Sequence, residues 1–219
     1  MQIGILGATG PAGSALAMRL ASLGDDVIVG SRSLERGQEV AADLKARWPD
    51  RELRIEGADN DGAAEAELVV VATPWDGAAP TVAAVAEKLE GKVVICMANA
   101  LTRVGKEFQA LVPPRGSIAE HVKAALPGAR VAAALQHVPA KELGELDHPV
   151  PCDVLVCADD PTATQATIDL ISRIPGVRAL DAGTLSSASA IEAFTAVLLQ
   201  VNVRYKTRAA VQFSGIDLG

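Results

Sequence analysis

Gly7-Ala8-Thr9-Gly10-Pro11-Ala12-Gly13 carries the strongest chemical signal in the chain. The segment follows an apolar run, Ile3 to Leu6, and opens an Ala/Leu-rich stretch. That is the strand–turn–helix setting in which a glycine-rich loop cradles a phosphate. The spacing is GxxGxxG rather than GxGxxG, yet each glycine has a task. Gly7 permits a tight turn, Gly10 lets a pyrophosphate approach the backbone, and Gly13 lets the helix pack on the strand. Pro11 suits the first helical turn, where one N–H is spare. The amides of Thr9, Gly10, Ala12 and Gly13 then face phosphate oxygens at a helix N-terminus. The competing account is a plain tight turn, and the position of the loop inside a βαβ unit argues against it.

The tip of the second strand selects the nucleotide. NAD-binding chains place Asp or Glu there to hold the ribose 2′-hydroxyl. This chain reads Val29-Gly30-Ser31-Arg32-Ser33, with no carboxylate. Arg32 is suited to a bidentate grip on a phosphate, Ser31 adds a hydroxyl, and Arg36 lies one helical turn on. The expected cofactor is NADP, with a solvated helix start as the alternative. Glu35 is expected to point elsewhere.

Ligands of open α/β sheets sit beyond the carboxyl ends of the strands. Three further strand ends therefore supply candidates. Thr73, Pro74 and Trp75 follow the fourth strand, with Trp75 either a stacking wall or a core residue at a helix start. Asn99 and Leu101 follow the fifth; Asn99 either binds a carboxamide or substrate oxygen or simply forms a turn. His137 and Ala140 follow the next strand, and His137 is either a proton or hydrogen-bond donor or an ordinary strand-end histidine. His121 and His148 read as surface residues. There is no Tyr-x-x-x-Lys pair, no GxSxG and no metal-ligand spacing. No catalytic side chain and no metal are therefore assigned, and hydride transfer with little acid–base assistance is the chemistry that fits.

These loops need a scaffold of alternating strands and helices. Strand-like runs occur at Ile3 to Leu6, Val27 to Val29, Leu53 to Ile55, Leu68 to Ala72, Val93 to Cys96, Val131 to Leu135 and Val154 to Ala158. Several are apolar at consecutive positions, as strands covered on both faces are. Helical patterns lie between them, near 12–23, 33–48, 61–66, 76–89, 117–126 and 161–173. The expected fold class is α/β, a Rossmann-type doubly wound, mostly parallel sheet with a small C-terminal helical/strand lobe. The expected division is an NADP-binding domain at 1–140 and a smaller lobe at 141–219. A last helix is expected from about Leu185 to Lys206, with Ala188, Ile191, Phe194, Leu198 and Val201 as its apolar stripe. Thr195 and Asn202 break that stripe. The helix packs either on its own sheet alone or also against a second subunit. Pro139 to Pro151 is the one long irregular stretch late in the chain.

Composition bounds the rest. The 219 residues carry 20 Lys and Arg against 27 Asp and Glu, a net charge of −7, which provides no general surface for nucleic acid or anionic membrane. No apolar run approaches the roughly 18 residues of a membrane span. The N-terminus, MQIGILGATG, has no basic leader. Cys96, Cys152 and Cys157 form no CxxC pair, as expected for buried thiols in a reducing compartment. A cytoplasmic location is the expectation.

Taken together, GATGPAG at 7–13, VGSR at 29–32, ATPW at 72–75, ALQHVPA at 134–140 and LDAGTLSSAS at 180–189 resemble the F420-dependent NADP reductases, also called coenzyme F420:NADP oxidoreductases. The likeness spans nearly the whole chain. It implies a homodimer that moves a hydride between C4 of the nicotinamide of NADP and C5 of the 8-hydroxy-5-deazaflavin coenzyme F420. It places NADP on Thr9 to Ala12, Ser31, Arg32 and Arg36. The nicotinamide and deazaflavin then lie near Thr73 to Trp75, Asn99 to Leu101 and Gln136 to Ala140, and catalysis is the positioning of two carbon centres. Two segments depart from the archaeal pattern: Gln136 stands where ALHTIPA has His, and CMANALTRVG lacks a proline. Both lie on the deazaflavin side. They leave open an NADPH-dependent reductase of a small imine or carbonyl, and a non-catalytic NADP-sensing module.

Overall fold

Strands that are apolar at consecutive positions must be covered on both faces, and helices on each side of one sheet meet that demand. The computed structural model describes residues 1–217. Its strands are β1 (Gln2–Leu6), β2 (Asp26–Ser31), β3 (Ile55–Asp59), β4 (Leu68–Val71), β5 (Val93–Cys96), β6 (Leu101–Val104), β7 (Glu107–Ala110), β8 (Arg130–Ala133), β9 (Cys152–Ala158) and β10 (Val177–Asp181). The helices are α1 (Pro11–Ser22), α2 (Leu34–Ala46), α3 (Asn60–Ala63), α4 (Trp75–Ala83), α5 (Ala86–Leu89), α6 (Ile118–Ala125), α7 (Ala140–Gly144), α8 (Pro161–Ser172) and α9 (Ala188–Tyr205).

Eight strands form one sheet in the order β10-β9-β8-β5-β4-β1-β2-β3. Every pairing from β3 to β8 is parallel, and the order is that of a dinucleotide-binding Rossmann sheet. β9 then runs antiparallel to β8, and β10 parallel to β9. Alternation sorts the core into two layers. Val70 of β4 joins Ile3, Ile5, Leu16 and Leu20 on one face, while Val69 and Val71 join Val82, Leu89 and Val122 on the other. Each such buried side chain contributes about 1.5–3 kcal/mol.

Several segments differ from the sequence reading, each for a physical reason. The third strand starts at Ile55 and runs to Asp59 rather than ending at Ile55. Gly57 there meets Gly37 of α2 backbone to backbone, so a weakly apolar strand is held by close helix contact. The helical pattern at 76–89 breaks where Val85 leaves helical geometry (φ −123°) and buries its side chain. Residues 101–110 form a hairpin, β6–β7, turned by Gly105 at φ +61° and Lys106. The stretch from Pro139 to Pro151 contains α7 and is tied down by Arg19, which is 2% exposed. Arg19 donates to the carbonyl oxygens of Leu143 (2.9 Å), Glu145 (2.8 Å) and His148 (3.1 Å), and burial lowers its pKa from the ordinary value.

After α9 the chain returns along β9. The Asp153 amide donates to the Val211 carbonyl (2.7 Å). The fully buried Asp153 carboxylate accepts from both arms of Arg178 (2.6 Å each) and from the Phe213 amide (2.5 Å). Hydrogen bonding to Arg178 holds the Asp153 carboxyl below the usual carboxylate range. Such a group contributes stability above its unfolded pKa, about 3.9, and that contribution is lost as pH falls through the lower folded value. Asp153→Asn should therefore lower the melting temperature at pH 7, and its gap to wild type should shrink below about pH 4. Paired thermal melts at pH 7 and pH 3 check this. A gap of equal size at both values would mean that the charge of Asp153 does not tie the tail down.

Candidate functional site

β1, β4, β5 and β8 are parallel neighbours, so the loops that follow them open on one edge of the sheet. At β1 the turn is locked from several sides. Gly7 sits at φ +73° and donates to the Gly30 carbonyl (3.1 Å) and to Asn60 Oδ1 (3.3 Å). A Cβ at Gly7 would collide with Thr73. Ser14 Oγ donates to the Ala8 carbonyl (2.8 Å) and closes the turn from the helix side. A Cβ at Gly13 would stand 2.9 Å from Ala72 Cβ and 3.0 Å from Ala8 Cα, so the close helix–strand approach is real. Gly10, the residue just before α1, is extended, and a Cβ there would meet nothing within 4 Å. Open space beside Gly10 at a helix N-terminus is what a pyrophosphate needs, and Thr9, Pro11 and Ala12 surround it. Asn60 and Ser14 escaped the sequence reading; the Asp59-Asn60-Asp61 turn after β3 was the only signal for the former.

At the tip of β2, Ser31 is buried and Arg32 is exposed, with no hydrogen bond or ion pair among the described residues. Ser33 caps α2 by accepting from the Arg36 amide (3.3 Å). The exposed Arg36 guanidinium pairs with Glu39 (2.9 Å), so Arg36 is less available than Arg32. The nearest strand-end carboxylate, Asp59, pairs across from Ser31 but accepts from the Gly62 amide (2.8 Å). That acid is committed to capping α3.

The candidates beyond the adenosine half divide into two groups. Asn99, Leu101, His137 and Ala140 line one cavity of about 310 Å³, closed by Leu198 and Arg208. Thr195 and Asn202, the polar breaks in the α9 stripe, line it as well. Trp75 is 40% exposed and lines a different, apolar cavity of about 430 Å³ with Ala100, Leu111 and Val112. Thr73 stays against Gly7 with its Oγ1 buried and unpartnered, and Pro74 is exposed beside it. The turn after β8 passes through Leu135 at φ +72°, a strained region for a leucine. That strain turns the Gln136 carbonyl towards Asn99 Nδ2 (2.9 Å) and Thr195 Oγ1 (3.3 Å), both of which donate to it.

The titratable groups here are quiet. His137 is 5% exposed, and burial lowers its pKa, so the ring is neutral near pH 7. Its Nε2 accepts from the Leu155 amide at 3.4 Å, which leaves Nδ1 as the nitrogen that bears the proton. Burial pushes the Cys96 and Cys157 thiols up to about 12 and Cys152 to about 11, so none is a thiolate nucleophile. Glu192 of α9 accepts from the Ile118 and Ala119 amides (2.9–3.1 Å) at the start of α6, and burial raises its carboxyl to about 7. Among the described residues no group of His, Cys, Asp and Glu is placed to hold a metal.

The chain is similar to known proteins in sequence and in fold. Residues 2–100 match the family described as NADP oxidoreductase coenzyme F420-dependent. The chain is 40% identical over 213 residues to the F420-dependent NADP reductase of Methanocaldococcus jannaschii, covering 95% of each chain. It is 34% identical to the enzyme of the same name from Methanothermobacter thermautotrophicus, over 96% of this chain and 93% of that one. A crystal structure assigned as an F420-dependent NADP-reductase from Arthrobacter sp. FB24 has the same fold, with TM-score 0.83 and 24% identity over 97% and 100% of the two chains. Identity that holds from the phosphate turn through the last helix leaves one placement: the chain belongs to the F420-dependent NADP reductase family.

Proposed function

We propose that the protein transfers a hydride between NADP(H) and the deazaflavin coenzyme F420. The observation that carries this reading is the juxtaposition, on one sheet edge, of the open phosphate turn and the cavity beyond Asn99 and Gln136. The two bound coenzymes supply the chemistry, a hydride passing between nicotinamide C4 and deazaflavin C5. The chain supplies position. Gly7, Thr9, Gly10, Pro11, Ala12 and Gly13 hold the pyrophosphate, Ser31 and Arg32 hold the 2′-phosphate, and Arg36 assists from the next turn. Thr73, Pro74 and Trp75 border the middle of the dinucleotide, while Asn99, Leu101, His137 and Ala140 wall the deazaflavin. The chain from 141 onward completes that wall with α9 and the returning tail, which is the role of the smaller C-terminal lobe. A reductase of a small imine or carbonyl would call for a proton donor. A neutral His137 whose proton-bearing Nδ1 is shut away from solvent suits that task poorly.

The functional unit is a homodimer in the cytoplasm. Phe194, Val197, Val203 and Tyr205 of α9, with Val104 in β6 and Val112 just after β7, are exposed apolar groups, an arrangement suited to a second copy. Three buried free thiols fit a reducing compartment, and no described helix is long and apolar enough to cross a membrane. Val197→Glu should halve the mass seen by light scattering. An unchanged dimer would move the interface off α9.

Two measurements test the dinucleotide site. Arg32→Ala should weaken NADPH by roughly 10- to 100-fold and NADH far less, since only NADPH carries the phosphate a guanidinium grips. Equal losses in titrations at one salt concentration would leave Arg32 facing solvent. Gly10→Val should keep the ligand-free melting temperature within a few degrees, because the added side chain enters open space. The same variant should lose the stabilisation that NADPH gives wild type by mass action. A wild-type shift in the variant would remove Gly10 from the phosphate site.

A further inference from the structure

Glu192 of α9 is 4% exposed, and its carboxylate is turned to another helix. It accepts from the Ile118 amide through both oxygens (3.0 and 2.9 Å) and from the Ala119 amide through one (3.1 Å). The next free amide of α6, that of Glu120, goes to the capping Ser117 hydroxyl (3.0 Å). A helix start leaves its first amides without partners inside the helix, and Ser117 covers one of them. Ile118, Ala119 and Glu192 are all buried, so the other two amides depend on this one carboxylate.

The two helices joined in this way wall different parts of the ligand edge. Thr195, Leu198, Leu199 and Asn202 of α9 line the cavity that Gln136 and His137 also line. Ile118 and His121 of α6 line the apolar cavity with Trp75. Thr195 follows Glu192 by three residues, on the same side of the helix, and its hydroxyl donates to the Gln136 carbonyl (3.3 Å). A slip or tilt of α9 therefore moves the cavity lining together with the hydroxyl that holds the Gln136 turn.

We infer that Glu192 is a positioning residue for the second substrate: its carboxylate clamps α9 to α6 and so keeps Thr195 and the Gln136 turn in the place where that substrate meets them. On the function proposed above, on which this inference rests, the substrate is F420. The clamp is strongest when Glu192 is ionised, because only a carboxylate offers both oxygens as acceptors. Burial, with the like charge of Glu120 adding to it, raises the Glu192 carboxyl to about 7. The wall therefore loosens as pH falls through that value. The other groups around Glu192 do not compete. Cys96 of β5 and Cys157 of β9 keep their protons up to about 12, and His121 of α6 is turned to the Arg115 amide (3.3 Å). Residues 185–187, just before α9, carry no charged side chain. The hairpin meets α9 two turns further on, where the Phe108 amide donates to Gln200 Oε1 (3.2 Å).

The experiment follows the bleaching of F420 by NADPH at pH 6 and pH 8 in wild type, Glu192→Gln, Thr195→Val and the double variant. Each comparison is between proteins at one pH, so any titration of the coenzymes themselves cancels. At pH 8 Glu192→Gln should raise the KM for F420 by about 3- to 10-fold, the scale of one lost hydrogen bond, with kcat within about twofold of wild type. At pH 6, where wild type is itself protonated at Glu192, the gap in KM should close to within about twofold. Thr195→Val should show the same gap at pH 8 and the same closing at pH 6. The double variant should be no worse than the larger single one, and the Kd for NADPH should stay within about twofold throughout. A gap of equal size at both pH values overturns the inference, since Glu192 would then be a cap whose charge the cavity ignores. Additive effects in the double variant overturn it too, as does a NADPH Kd weakened by the same factor as the F420 KM. Should Glu192→Gln fail to fold, Thr195→Val decides alone, and a gap that ignores pH again overturns the inference. Wild type that turns over no F420 brings down the proposed function and this inference with it, a result distinct from turnover whose gap ignores pH.

Discussion

The binding edge depends on how closely the backbone can approach itself where β1 meets α1. Gly13 lies so near Ala72 and Ala8 that no side chain fits, and Gly7 is pressed in the same way against Thr73. These two contacts fix the distance between the loop after β1 and the loop after β4. They also aim the N-terminus of α1 past Gly10 into open space. Gly30 repeats the device one strand over, where a Cβ would stand 2.8 Å from Ala63 and 2.9 Å from Asn60 Oδ1. Because Asn60 also accepts from the Gly7 amide, the tips of β1, β2 and β3 are tied together. A helix dipole and a row of free amides give useful anion affinity only when something holds them still, and the glycines do so by removing slack.

The far wall is built on a different principle, the filling of an incomplete ladder. β8 pairs with β9 only at Ala132–Ala158 and Ala133–Cys157, so the first half of β9 would present bare amides. Unpaired backbone donors inside a fold are costly, and each one here finds an acceptor from a functional segment. His137 Nε2 takes the Leu155 amide, and the Val211 carbonyl takes that of Asp153. The turn carrying Gln136 and the tail beyond α9 are therefore both anchored on the strand that departs from parallel order. On this reading the strained Leu135 is a consequence of ladder and cavity together: the chain must leave β8 and place His137 on β9 while turning the Gln136 carbonyl to Asn99.

Periodicity and glycine spacing made the parallel half of the sheet legible, because consecutive apolar runs and Gly7, Gly10 and Gly13 each have one structural use. β3 was blurred, since Ile-Glu-Gly-Ala-Asp has little apolar character and is held by a glycine-to-glycine contact with α2. The hairpin at 101–110 had a sequence cue in Val104-Gly105-Lys106-Glu107 but no apolar alternation strong enough to outweigh the surrounding loop residues. Within the site, Ser31 and Arg32 could be read locally because a strand tip is a local feature. The partners of Gln136 could not. Thr195 lies 59 residues away, and only its placement as a polar residue in an apolar stripe hinted at a role. His137 could be singled out by position, yet its use as an acceptor for a strand amide depends on how far β8 runs, which no local pattern encodes.

The quiet electrostatics follow from the kind of reaction the fold serves. Two carbon centres that exchange a hydride need to be brought to contact distance and kept there, and water needs to be kept away. Shifted acids and bases would add nothing to that task. The cysteines are protonated, His137 is neutral, and the buried carboxylates near the wall are structural: Glu192 caps α6 and Asp153 pairs with Arg178. Glu192 nevertheless matters to the wall, because α9 carries both it and Thr195. Its bonds to the Ile118 and Ala119 amides pin the helix one turn before the hydroxyl that holds the Gln136 carbonyl. A carboxylate at a helix N-terminus, a hydroxyl on the next turn and a strained leucine across the cavity thus act on one main-chain carbonyl. Rigidity at that carbonyl fixes the turn that carries Gln136 and His137 along the cavity.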